Sequence, residues 1–124
     1  MISKVGFEVR VQLAVPYYER RNVRILFERW SPRYPIVTVD GPTESQHRNG
    51  DGTLCLWYPD DDEDRRWVFS DGLSHLLGII TLHLFKEAWW RETGGFEGGE
   101  WVGGEVHSEA PKRNDPPRDD DDAR

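Results

Sequence analysis

Residues 71–92, DGLSHLLGIITLHLFKEAWWRE, form the stretch whose apolar positions keep a helical period for longest, and a helix of that length dictates what the rest must do. Leu73, Leu76, Leu77, Ile80, Leu84 and Ala88 repeat at i, i+3, i+4 and i+7, which draws one apolar stripe down the helix. Ile79, His83, Phe85, Trp89 and Trp90 widen that surface at the far end. Adjacent tryptophans cannot both face one core, so one of Trp89 and Trp90 is expected to be covered by the C-terminal segment or by a partner. Ser70 or Asp71 is placed to cap the start. Thr93-Gly94-Gly95 is placed to stop the helix, since glycine just beyond a helix end satisfies the chain reversal.

A single-striped helix needs an apolar surface to lie on, and the preceding residues offer a sheet. Residues 7–15, FEVRVQLAV, alternate strictly, with Phe7, Val9, Val11, Leu13 and Val15 on one face. Pro16-Tyr17-Tyr18 ends the run. Residues 22–29 begin a second alternation in Val23, Ile25 and Phe27, with Arg24 and Glu28 on the polar face. Ser31-Pro32-Arg33-Tyr34-Pro35 reads as a turn by its prolines. Ile36-Val37-Thr38-Val39 is a short third strand closed by Asp40-Gly41-Pro42. Three strands at short spacing predict an antiparallel meander. Residues 43–66 carry no period and read as a long loop around the island Thr53-Leu54-Cys55-Leu56-Trp57. Strands, then loop, then helix make the chain an α+β domain.

With 124 residues there is material for one domain. Apolar residues make up 36%, and the deficit is concentrated at the end, so the first ninety residues can still build a core. The domain is read as residues 1–110. The tail 111–124, PKRNDPPRDDDDAR, is acidic, punctuated by proline and expected to be disordered. A net charge of −7 argues against nucleic acid as the main partner, because phosphate binding needs clustered Lys and Arg. No window approaches the apolar length of a membrane span, and the N-terminus lacks a signal-peptide core. One cysteine permits no intrachain disulfide. A cytoplasmic protein without membrane association is the expectation.

That cysteine, Cys55, follows the polar turn Asn49-Gly50-Asp51-Gly52, which can hold it near the surface. Free cysteines are usually small buried hydrophobes, and that reading stands beside a chemical one. As a nucleophile Cys55 would need surroundings that permit deprotonation. Attack on an acyl group builds a negative oxygen that the Asn49 amide is placed to stabilise. His47 is placed as a base or as a structural imidazole.

Read in order, these features resemble the core of the ubiquitin-conjugating enzymes between Tyr17 and Leu77. Tyr34-Pro35 stands where that family has a Tyr-Pro turn before its third strand. His47-Arg48-Asn49 resembles its His-Pro-Asn motif, with arginine in place of proline. Gly52-Thr53-Leu54-Cys55-Leu56 is similar to its Gly-x-x-Cys-Leu segment. Trp67, followed by Ser70, Leu73, Leu76 and Leu77, looks like its tryptophan and crossover helix. The resemblance implies a UBC-like fold without the family's N-terminal helix, similar to compact bacterial members of conjugation or antiviral operons. It implies that Cys55 accepts the C-terminal glycine of a ubiquitin-like protein from an activating enzyme, then passes it to an amine of an acceptor protein. Cys55, Asn49 and His47 would be the catalytic set, with Asn49 supporting the oxyanion or its loop and His47 mainly structural. No cofactor is implied.

Asp60, Asp61, Asp62, Glu63 and Asp64 follow the cysteine. A solvated loop is the ordinary reading of such a run; the alternative is one carboxylate orienting an incoming lysine. Consecutive aspartates do not make an EF-hand loop. His75 and His83 lie two helical turns apart with no ligand between them, so zinc is not expected. Trp101 can fold its glycine-rich segment back over the core and bring His107 toward Cys55. Two further readings remain: a non-catalytic UBC-like binding module, and a cysteine hydrolase pairing Cys55 with His47 or His107.

Overall fold

The computed structural model describes residues 5–28, 31–57 and 61–103. Three strands, β1 (Val5–Leu13), β2 (Arg21–Glu28) and β3 (Ser31–Val39), form one antiparallel sheet in the order β1-β2-β3. Among the described residues one long helix, α1 (Leu73–Glu92), follows. The α+β class and the meander are therefore as the alternation predicts. The tail 111–124 and His107 lie outside the described residues.

Alternation decides which face is buried. Val9 pairs with Ile25 and Val11 with Val23 across β1 and β2, while Ile25 pairs with Val37 and Val23 with Val39 across β2 and β3. Leu76, Ile80 and Leu84 of α1 are completely buried with Ile25, Val23, Phe27, Val37 and Trp67 in one core. Each such aliphatic side chain contributes about 1.5–3 kcal/mol on removal from water. Leu73, by contrast, is 42% exposed, so the stripe begins one turn later than the periodicity suggests.

Two local expectations are corrected. Ser31–Pro35 is not a turn: it is the first part of β3. Proline is tolerated there because β3 is an edge strand and the ladder is irregular, Leu26 facing Ile36 while Glu28 already faces Ser31. Neither Ser70 nor Asp71 caps α1. Both lie in the 3-10 turn Phe69–Asp71, and Gly72 takes the cap position at φ 87°, left-handed space that glycine occupies without strain. The Gly72 carbonyl accepts from Leu76 N at 3.3 Å and from the Trp67 indole at 2.7 Å, which ties the tryptophan to the helix start.

The far end closes as Thr93-Gly94-Gly95 predicts, with Thr93 N donating to the Trp89 carbonyl and Gly95 N to that of Trp90. The adjacent tryptophans part company. Trp90 is buried and meets Phe96 edge-on at 4.7 Å, while the half-buried Trp89 donates from Nε1 to Glu100 at 2.9 Å. The segment after the helix thus covers both. Among the described residues no helix is long and apolar enough to cross a membrane.

Candidate active site around Cys55

The segment after β3 folds as an irregular hairpin laid along the free edge of that strand. Asn49-Gly50-Asp51-Gly52 makes its tight turn, with Gly52 N donating to the Asn49 carbonyl at 2.9 Å and Asn49 N to Thr53 at 2.8 Å. Asp51 fixes the turn by accepting from the Thr53 amide at 3.1 Å and hydroxyl at 2.7 Å, and these bonds hold its carboxyl below the usual range. Arg48 bridges to Leu54, and Leu54 N reaches the Val37 carbonyl at 3.0 Å. The next residue, Cys55, donates its amide to the His47 carbonyl at 2.9 Å. A buried Leu54 and an amide bonded on each side of the bridge leave the cysteine a narrow choice of position.

Cys55 is half-buried and unoxidised. Burial pushes its thiol above the ordinary value, and the nearby Asp61 carboxylate pushes it further in the same direction. Asp61 is only 6% exposed, unlike its exposed neighbours Asp62 and Asp64, so one carboxylate of the acidic run is buried near enough for its charge to act on the thiol. Asp60 lies outside the described residues. Among the described residues no histidine is hydrogen-bonded to the thiol and none contributes to its shift.

The other two expected site residues face the loop. The Asn49 amide donates to the Thr53 hydroxyl at 2.8 Å and to the Leu54 carbonyl at 3.5 Å, so both of its N–H groups brace the segment that carries Cys55. His47 adopts left-handed backbone geometry at φ 57° and packs its ring on Trp101, with centroids 4.6 Å apart. Trp101 also meets His83 edge-on at 5.4 Å. Trp101 therefore packs back against the hairpin and α1, while the approach of His107 to Cys55 lies outside the described residues.

The largest element missed by the periodicity lies beneath the hairpin. Glu87 of α1 is completely buried and accepts from Arg48 Nε at 2.5 Å and Nη2 at 2.9 Å, a two-pronged pair. His83 Nε2 lies 3.2 Å from the same carboxylate, as does Arg91 Nη2. Hydrogen bonds from His83 and Arg48 outweigh the desolvation of Glu87 and take its carboxyl down to about 2. Arg48 continues into the hairpin, donating to the carbonyls of Gly52 at 2.6 Å and Pro42 at 3.3 Å. Arg91 reaches the carbonyls of Pro42 and Glu44. The sequence signal was present: His83, Glu87 and Arg91 repeat at i+4 along the helix. No cluster of three or more His, Cys, Asp or Glu side chains suited to a metal occurs among the described residues.

Comparison with protein-family models, with curated proteins and with solved structures gives no match to this chain.

Proposed function

We propose that the protein is a conjugating enzyme for a ubiquitin-like protein, with Cys55 as its thioester carrier. The observation that carries this reading is the setting of Cys55: a half-buried thiol on a braced hairpin between meander and helix, within reach of the charge of the buried Asp61. The order Tyr-Pro, His-x-Asn, Gly-x-x-Cys-Leu, Trp and helix along the chain supports it, although Tyr34-Pro35 lies within β3 and not in a turn before it.

In the first step the Cys55 sulfur attacks the thioester carbonyl held by an activating enzyme. The new S–C bond forms, the old S–C bond breaks, and the Cys55 proton passes to the departing thiolate. A thiol with a raised pKa exchanges slowly in isolation, so the step depends on the partner's approach to assist deprotonation. In the second step an amine of the acceptor attacks the Cys55 thioester. The C–N bond forms, the C–S bond breaks, and the thiolate regains a proton. On this reading Asp61 orients that amine and takes up its proton. Asn49 serves by holding the hairpin, and His47 by packing it against Trp101. The partners on this reading are a ubiquitin-like protein, its activating enzyme and an acceptor protein.

The direct test is a non-reducing gel with an activating enzyme, its ubiquitin-like protein and ATP. A thiol-sensitive adduct is expected on the wild type, none on Cys55→Ala, and an oxyester on Cys55→Ser. An activating enzyme that charges itself but leaves Cys55 empty would instead favour a non-catalytic binding module, a reading to which the raised thiol pKa lends some support.

A further inference from the structure

We propose that Glu87 is a positioning residue for the Cys55 site: gripped by Arg48, it holds the 47–55 hairpin against α1 and so sets how far the thiol is exposed. The proposal rests on Cys55 being the reactive group of the reading above, but it concerns a different part of the molecule.

The geometry is a short mechanical chain. Glu87 is held in place because it lies inside α1, more than one turn from its C-terminal end, and is completely buried. Its two oxygens hold Nε and Nη2 of Arg48. The third guanidinium nitrogen, Nη1, holds the Gly52 carbonyl at 2.6 Å, and Nη2 also reaches Pro42, so one planar group fixes both the entry and the turn of the hairpin. Cys55 is tied to the residue next to Arg48 by its bond to the His47 carbonyl. Any shift of Arg48 therefore reaches Cys55 through one hydrogen bond and one peptide unit.

An apolar pair of similar volume would stabilise this site about as well as buried charges do. What an apolar pair does not supply is direction. A guanidinium donates in fixed directions within a plane, which is what a loop with no regular secondary structure lacks. Where the conjugating enzymes place proline, whose ring stiffens the backbone, this chain has Arg48. The arginine reaches the same end from the side-chain side, by fastening the loop to the helix.

Because Cys55 is the single cysteine, its alkylation by iodoacetamide reports on one site. The test compares pH–rate profiles of wild type, the double variant Arg48→Met/Glu87→Leu, and Arg48→Lys, with urea unfolding of each alongside. The double variant is expected to keep a single cooperative urea transition. Its thiol should nevertheless become more exposed, with a lower apparent pKa and a severalfold faster reaction at neutral pH, since burial is the main cause of the wild-type shift. Arg48→Lys retains the charge without the planar fork and should shift the profile in the same direction by less. A wild-type profile in a stably folded double variant overturns the proposal. If the double variant does not fold, an unchanged profile in Arg48→Lys overturns it instead. Failure of Cys55 to accept a thioester while the profiles shift would overturn the conjugating function and leave the positioning role standing.

Discussion

Cutting Arg48 away from Glu87 should be far more damaging than cutting both away together. In Arg48→Met the Glu87 carboxylate stays completely buried with His83 and Arg91 as its remaining contacts at 3.2 Å. Its depression from the usual 4.5 to about 2 corresponds to about 3 kcal/mol favouring the ionised form in the folded protein. His83 and Arg48 share that depression, so it does not measure Arg48 alone; removing one partner of a buried ion pair costs about 3–5 kcal/mol in general. Arg48→Met and Glu87→Leu are each expected to lose about that much by urea denaturation followed through tryptophan fluorescence. The double variant should lose clearly less than the two single losses added together, because the charges of the pair are removed together; what it still loses comes from the bonds of His83 and Arg91 to Glu87 and of Arg48 to the Gly52 and Pro42 carbonyls. The cycle would then show a coupling of several kcal/mol, where contacts of independent residues would add. A single-variant loss below about 1 kcal/mol, the level of a surface ion pair, would refute the reasoning.

Acid provides a second handle on the same group. A carboxyl depressed in the folded state contributes stability that is complete above its unfolded value of 4.5 and is lost as pH falls through the folded value of about 2. Wild type should therefore lose stability across that window, and Arg48→Met/Glu87→Leu should lose measurably less, as read by urea midpoints at stepped pH. Asp61→Asn removes the carboxylate beside Cys55 and should lower the apparent pKa of the thiol, giving faster alkylation at pH 7 than wild type; an unchanged rate would remove Asp61 from the site. Tyr17 stands at φ 71° with its side chain 95% exposed, so Tyr17→Gly should raise stability by about 1 kcal/mol through relief of backbone strain, measured as a higher melting temperature.

The parts of the fold legible in the sequence are those governed by period. Strands with Val23, Ile25 and Phe27 on one face, and a helix with Leu76, Ile80 and Leu84 on one stripe, follow from burial alone. The limits of β3 were not legible, because the prolines of Ser31–Pro35 signal a turn unless the strand is known to lie at an edge. The helix cap was missed for a related reason: Asp71 offers a capping carboxylate, but it is used by the Val68 amide at 3.0 Å. At the site, the turn Asn49–Gly52 and the position of Cys55 just past it were readable from local chemistry. That Asp61 is buried while Asp62 and Asp64 are exposed is a matter of tertiary packing, and nothing in a run of like charges distinguishes it. Glu87 escaped notice because an apolar stripe predicts Ala88 at that level of the helix, and Ala88 is half-buried whereas Glu87 is fully so.

Every strand pairing in the sheet joins neighbours along the chain, so the meander can form from short-range encounters. The contact from Arg48 to Glu87 spans 39 residues, and that from Tyr18 to Glu92 spans 74. Contacts of that separation demand loop closure before they yield any stabilisation, and a buried ion pair demands complete drying as well. We predict that they form after the transition state, so that in urea-jump kinetics Arg48→Met speeds unfolding with little change in refolding. Strengthening or weakening them changes how slowly the native state opens and leaves the speed of its formation almost untouched. The clamp under the cysteine is in this sense a latch, and its contribution is counted in the lifetime of the closed hairpin.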